Sequence, residues 1–178
     1  GANLEMRVNA VSMLLNKHPA VGWKICLQQI DPHRRSGALY SYKPKWRTDG
    51  FGEFMETLES DPKFVKEVVK SLLNRPLYTV GMLCDLVLNL HALTHEGQAQ
   101  VWEIIDQWCS KGAPDEELAE LHETIRTTVL TQPGAGNGWQ AIMTKKARTV
   151  YDKLQPKDVV FRHEWLFRQP WIHESADE

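Results

Sequence analysis

The sequence predicts an all-α fold of eight or nine helices, and three observations support this. Apolar residues recur at three- and four-residue spacing through most of the chain, as amphipathic helices require. Proline, glycine and capping residues punctuate these stretches at the positions where helices begin and end. No segment alternates apolar and polar residues with β-branched enrichment, so strands are not expected. Short turns favour antiparallel hairpins, arranged as an irregular HEAT-like stack or a compact helical bundle.

The first part of the chain contains predicted helices on either side of one long loop. The apolar spacing places helices over residues 3–17 and 19–30, the second opened by a proline that is tolerated in a first turn. Residues 31–52 are rich in Pro and Gly, and three aromatic residues among them favour an ordered loop. A short helix over 53–59 and a longer one over 60–73 follow.

The rest of the chain predicts five further helices, over residues 79–92, 95–110, 115–130, 139–154 and 157–168. Thr79 and Thr94 are the expected N-caps of the first two, since a hydroxyl can accept from a backbone N–H of the first turn. Acidic residues 115–117 complement the dipole of the third helix. A Gly-rich joint at 133–138 precedes the fourth and is a point where the domain would subdivide.

The composition is that of an ordinary globular domain. The chain has 178 residues, a net charge of −2 and 42% hydrophobic residues, which excludes fibrous, disordered and disulfide-scaffold classes. Three cysteines without a CxxC pair predict buried, reduced thiols and a cytoplasmic location. No apolar run approaches the roughly 20 residues of a membrane span.

The N-terminus predicts that the chain is part of a larger protein. Gly1-Ala2 has the form of a protease-cleavage scar from expression, and a helical pattern begins immediately after it. Residues 3–178 are therefore expected to form a single all-α domain excised from a longer chain.

Charge is unevenly distributed along the sequence. Residues 76–123 carry nine acids against Lys111 alone, whereas residues 126–168 carry eight bases against three acids. Such segregation marks a binding surface in some proteins and simply solvated helix faces in others. The solvated alternative is favoured, because charge runs have low specificity.

The long loop is the best-specified ligand-binding candidate. Between residues 33 and 47 it carries five bases and no acid, interleaved with aromatics, a combination that can neutralise phosphates and stack bases. The candidate binding residues are Arg34, Arg35, Tyr40, Tyr42, Lys43, Lys45, Trp46 and Arg47. The favoured alternative is a structural loop whose aromatic rings pack against the helices while the basic head groups stay in water.

Other motifs do not predict catalysis, a metal or a cofactor. His91 and His95 have the i, i+4 spacing of a metal-binding pair, but Ala92 replaces the glutamate of zinc peptidases and Thr94 interrupts the helix. The glycines of 134–138 follow no strand and fit a linker better than a phosphate site. No G-x-S-x-G nucleophile elbow is present, and Cys84 lies on an apolar face. The chain is therefore predicted not to be an enzyme.

The C-terminal segment is dense in large apolar residues. Trp165, Phe167 and Trp171 form a candidate interface, since buried aromatics often anchor protein contacts. The alternative is that they close the core of their own domain.

Three segments resemble stretches of very large bacterial multidomain proteins, some of which are suspected to act in defence against phage. These segments are His18–Cys26, Tyr40–Arg47 and Val101–Trp108. The resemblance covers about residues 10–170 and implies a helical sensor, scaffold or effector-associated segment. Because its motifs are not catalytic, it carries over no active-site residue.

Three functional hypotheses follow from the sequence. The first is a non-catalytic helical interaction, scaffold or sensor domain that contacts a protein partner or another domain of its own chain. The second is a nucleic-acid-binding module that uses residues 33–47, joined by Lys145, Lys146 and Arg148. The third is an all-α enzyme of a type that the motifs do not identify.

Overall fold

The computed structural model describes residues 3–31, 60–130 and 138–163. These ranges contain eight α-helices and no strand, which confirms the all-α prediction. The helices are α1 (Leu4–Lys17), α2 (Pro19–Ile30), α3 (Ser60–Leu73), α4 (Val80–Leu88), α5 (His95–Cys109), α6 (Asp115–Ile125), α7 (Gly138–Lys153) and α8 (Val159–His163). A 3₁₀ turn at Leu90–Ala92 precedes α5, and a π-helical segment at Arg126–Leu130 continues α6.

Two predicted helices are shorter than the apolar pattern indicated. The helix expected over 79–92 ends at Leu88, and the chain then forms the 3₁₀ turn. The helix expected over 115–130 keeps α geometry only to Ile125. Residues 32–59, with most of the long loop and the helix predicted over 53–59, lie outside the described residues, as do 131–137 and everything after His163.

Side chains near the helix starts satisfy backbone donors as the sequence predicts. The Oγ1 atom of Thr94 accepts from the backbone N–H of Gly97 at 3.3 Å, and that of Thr79 accepts from Met82 at 3.4 Å. Asn3 caps α1, its Oδ1 atom accepting from Met6 at 2.9 Å. Each such cap removes one unsatisfied N–H from a helix end and is worth about 1 kcal/mol.

The chain divides into two compact units. The first contains residues 1–77 and 89–97, and the second contains 78–88 and 98–178. In the first unit, α1, α2 and α3 pack against one another in all three pairings. Their buried face includes Val11, Leu15, Trp23, Cys26, Ile30, Phe64, Val68 and Leu72. The guanidinium of Arg7 lies over the ring of Phe64, 4.2 Å from its centre, and covers one edge of this core.

The α1–α2 corner depends on a glycine. A single residue, His18, separates the two helices, so their backbones meet closely at this point. A Cβ atom at Gly22 would lie 2.8 Å from the carbonyl carbon of Leu14 and 2.8 Å from the backbone nitrogen of Leu15. Only the absence of a side chain permits this approach.

The second unit is built around α6. This helix packs against α4, α7 and α8, and its apolar face of Leu118, Leu121 and Ile125 is buried. The other buried hydrophobic residues described in this unit are Leu83, Cys84, Leu86, Val87, Val101, Trp102, Ile105, Met143, Ala147, Val150 and Leu154. Across the described ranges, no helix combines the length and the apolar character needed to span a bilayer.

Candidate functional site

The binding residues predicted from the sequence lie outside the described residues. This holds for all eight residues of the basic-aromatic loop and for Trp165, Phe167 and Trp171. Both assignments therefore stay predictions. The second basic segment of the nucleic-acid hypothesis is described: Lys145, Lys146 and Arg148 are all exposed on α7.

The three thiols are held in their protonated form. Burial raises the pKa of Cys26 from 9.0 to about 11, against the opposing effect of the Arg75 charge. Burial also raises the pKa of Cys84, although the Thr124 hydroxyl donates to its sulfur at 3.4 Å. Since the thiolate is the nucleophile, neither group is activated for attack.

Cys109 corrects one expectation from the sequence. The prediction of three buried thiols holds for Cys26 and Cys84, whereas Cys109 is half-exposed at the end of α5. Its sulfur lies 3.8 Å from the carbonyl oxygen of Lys153. Partial burial and the nearby Asp106 carboxylate both raise the pKa of the Cys109 thiol, so it too is unactivated.

The histidine pair of the sequence analysis does not converge with further ligands. His91 lies in the 3₁₀ turn and His95 begins α5, and both side chains are exposed. Among the residues that the structure describes, no group of three or more His, Cys, Asp or Glu side chains is placed to hold a metal ion.

A polar cleft lies in the second unit, and none of the site residues predicted from the sequence lines it. Its centre is a stacked ring pair, His122 on α6 and Tyr151 on α7, with ring centres 3.7 Å apart and planes inclined by 18°. The cleft has a volume of about 230 Å³. It is lined by His122, Tyr151, Asp152, Gln155, Arg162 and His163. All six side chains are polar, so the cleft differs in kind from the apolar core beside it.

Two backbone contacts position the cationic side of this cleft. The Nε and Nη2 atoms of Arg162 both donate to the carbonyl oxygen of Pro156, at 3.2 and 3.0 Å. A guanidinium carries five N–H groups, so three remain outside this interaction. The Nδ1 atom of His163 lies 2.9 Å from the Val159 carbonyl oxygen, which fixes Nδ1 as the donor and leaves Nε2 as an acceptor in the neutral ring.

Burial controls the protonation of the ring pair. Desolvation lowers the pKa of His122 below its ordinary 6.5, outweighing the neighbouring Glu123 carboxylate. Desolvation also raises the pKa of Tyr151. Both rings are therefore neutral at pH 7, when Arg162 and Asp152 supply the formal charges that line the cleft.

The π-helical segment lies directly beside the ring pair. Arg126, its first residue, forms a two-pronged ion pair with Glu123, with nitrogen–oxygen distances of 2.7 and 2.8 Å. The segment packs against α7, the helix that carries Tyr151. Single π turns inside helices occur frequently at functional sites.

Sequence reasoning missed this cleft, although a weak signal was present. His122 follows the buried Leu118 by four residues, and Tyr151 follows the buried Ala147 by four. Each polar ring is therefore at the edge of an apolar helix face. A polar aromatic residue at such a position is a weak indication of a site. What the sequence lacks is any indication that the two edges face each other.

No protein-family model, curated protein or solved structure matches this chain at a significant level.

Proposed function

We propose that the chain is a non-catalytic helical interaction module of a larger cytoplasmic bacterial protein. The observation that carries this proposal is the outer strip of α1, defined as Met6, Ala10 and Met13. All three side chains are exposed, and Met6 and Met13 keep 61% and 57% of their surface accessible. The partner would be another protein or another domain of the same chain.

The outer strip gives α1 two apolar faces. Val11 and Leu15 on its inner side are buried against the first unit, which is all that an ordinary surface helix requires. Met6 and Met13 are seven residues apart, so they lie about 10 Å apart along one face. Methionine side chains adapt to irregular partner surfaces, and their flexible thioethers are frequent on protein-binding faces.

The protonation of the described nucleophile candidates supports a non-catalytic function. Catalytic groups are typically desolvated and paired so that their pKa values approach the working pH. Here the pKa of each cysteine thiol is raised, away from neutral pH. Every buried residue of the described ranges is apolar, apart from proline and glycine.

Site-specific photocrosslinking tests the interaction proposal. A photoreactive amino acid at position 6 or 13 of the full-length parent should give one recurrent adduct in cells, and the same probe at the exposed Gln28 of α2 should not. The crosslinked partner is then identified and purified on its own, and the Met6→Asp/Met13→Asp double variant should bind that partner at least about tenfold more weakly than the unaltered chain does. Equal adducts at all three positions, or full binding by the double variant, would refute the proposal.

Nucleic-acid binding is a second candidate, favoured by the exposed bases of α7. Lys145, Lys146 and Arg148 lie within about one turn of that helix, and all three are exposed. Fluorescence anisotropy with a single-stranded oligonucleotide at low salt is the direct measurement. Binding should weaken steeply with added salt. The affinity of the triple alanine variant should depend less steeply on salt, by the amount expected for the loss of about three phosphate contacts. Absence of binding at low salt by the unaltered chain excludes this function.

A further inference from the structure

The strongest unassigned feature of the molecule is the polar cleft between α6, α7 and α8. We propose that this cleft binds a compact zwitterion of the free amino acid class, with the ligand carboxylate on Arg162 and the ligand ammonium on Asp152. This site lies in the second unit, whereas the outer strip of α1 lies in the first, so the two proposals are independent.

The cleft holds opposite charges that do not neutralise each other. Arg162 and Asp152 line the same cavity, yet they form no ion pair with one another. Elsewhere in the described part of the second unit, charged neighbours do pair, as Arg126 does with Glu123 and Lys153 with Asp106. A ligand that carries both charges can satisfy both groups at once, with each contact charge-assisted.

The guanidinium of Arg162 has a fixed direction. Its two bonds to the Pro156 carbonyl oxygen hold one edge of Arg162 against its own backbone turn. The remaining N–H groups present a planar fork, the geometry that matches a carboxylate. A preoriented donor loses less side-chain entropy when the ligand arrives.

The space inside the cleft is small. A volume of about 230 Å³ corresponds to roughly eight waters at about 30 Å³ each. This is below the range of about 300–1,000 Å³ for drug-sized ligands, so the cleft can surround a small molecule but only part of a nucleotide or a peptide.

The other lining groups suit a zwitterion better than an anion or a metal. The neutral rings of His122 and Tyr151 line the cleft, and Gln155 can both donate and accept. The Asp152 carboxylate opposes binding of a simple anion. A metal is disfavoured because the histidines and Asp152 do not form a chelating group.

Titration of the full chain with alanine, glutamine and phenylalanine tests the proposal. Propionate and ethylamine serve as alanine analogues that each lack one charge. NMR signals of the His122 and His163 rings should shift on addition of the amino acids at millimolar concentration. Each single-charge analogue should bind at least about tenfold more weakly than alanine, since it loses one charge-assisted contact.

Two variants assign the charges separately. Asp152→Asn should weaken alanine binding at least about tenfold and should strengthen propionate binding, because it removes the opposing carboxylate, whereas Arg162→Gln should weaken both. Glu103→Gln and Lys111→Gln, which alter exposed charges outside the cleft, are the matched controls and should change neither. If Arg162→Gln fails to fold, the exposed Asp152→Asn variant still decides the question.

Three results would overturn the proposal. The first is the absence of ring shifts with every amino acid tested. The second is propionate binding as tight as that of alanine, which would make the cleft a simple anion site. The third is an equal loss of alanine binding in Asp152→Asn and Glu103→Gln, which would show a general charge effect.

Discussion

Replacing Gly22 with alanine inserts one methyl group into the close backbone contact between α1 and α2. The new Cβ atom would lie 2.8 Å from backbone atoms of both Leu14 and Leu15, and 2.9 Å from the Leu14 carbonyl oxygen. Backbone atoms cannot rotate away as a flexible side chain would. The α1–α2 corner must therefore open, and the three-helix core beneath it must shift.

The size of the effect follows from two opposing contributions. Relief to the 3.4 Å lower limit of ordinary contact requires the helices to separate by about 0.6 Å, and overpacking of this kind costs about 1–3 kcal/mol. Alanine in place of a helical glycine returns up to about 1 kcal/mol of helix propensity. Because the contact involves three backbone atoms, we expect a net loss of about 1–2 kcal/mol in the free energy of unfolding.

Gly81 provides the matched control on the same chain. It lies in the first turn of α4, and a Cβ atom there would meet nothing within 4 Å. Gly81→Ala therefore gains propensity without a clash and should stabilise the protein by up to about 1 kcal/mol. The two substitutions have the same chemistry and opposite expected signs.

Urea denaturation followed by circular dichroism measures both variants, and thermal midpoints should move by about 2–4 °C per kcal/mol. Hydrogen exchange adds the location, because Gly22→Ala should lower protection in α1 and α2 first. A Gly22→Ala variant as stable as Gly81→Ala would refute the close approach of α1 and α2 described above.

Four further outcomes are expected. The pKa of Cys26 is raised from 9.0 to about 11, so its thiol contributes stability that is complete below pH 9 and is lost as pH rises through about 11. The urea midpoint of Cys26→Ala should therefore change less between pH 9 and pH 11 than that of the unaltered chain. A thiol reagent at neutral pH should modify the half-exposed Cys109 well before Cys26, and mass spectrometry of the modified peptides would contradict this if the order were reversed. The pKa of His122 is lowered, so its contribution to stability is present above pH 6.5 and is lost as pH falls through the folded-state value; His122→Gln should remove this part of the acid sensitivity, measured by thermal midpoints against pH. Asn3→Ala should cost about 1 kcal/mol by removing the bond to Met6, whereas Asn3→Asp should retain it, and equal midpoints for the two variants would argue against the cap.

Helix positions were largely predictable because capping and periodicity are local properties. Pro19 opens α2, Ser60 begins α3 and Thr94 caps α5, each as the sequence indicates. The change from α to π geometry at Arg126 was not predictable, since the apolar spacing continues through Val129 and Leu130. The wider turn depends on what packs against it, which is a tertiary property.

The cleft illustrates the same limit for function. His122 and Tyr151 are 29 positions apart in the sequence, and neither belongs to a motif. Their 3.7 Å stacking arises from the packing of α7 against α6, which periodicity alone does not specify. The basic-aromatic loop was the more visible candidate because its residues are adjacent, and adjacency is the only kind of proximity that a sequence displays directly.

The two compact units are interleaved along the chain, and this limits the positions at which the protein can be truncated. The chain changes unit after residues 77, 88 and 97, so neither unit is a continuous stretch. Residues 89–97, which include the buried Leu93, belong to the first unit but follow α4 in the sequence. During synthesis the first unit is therefore incomplete until α4 has also been made. A truncation at residue 77 would leave α1, α2 and α3 without that segment. A fragment beginning at residue 98 would in turn lack α4, a principal partner of α6. We therefore expect that neither unit can be removed or moved to another protein without the other, because no single cut in the chain separates them.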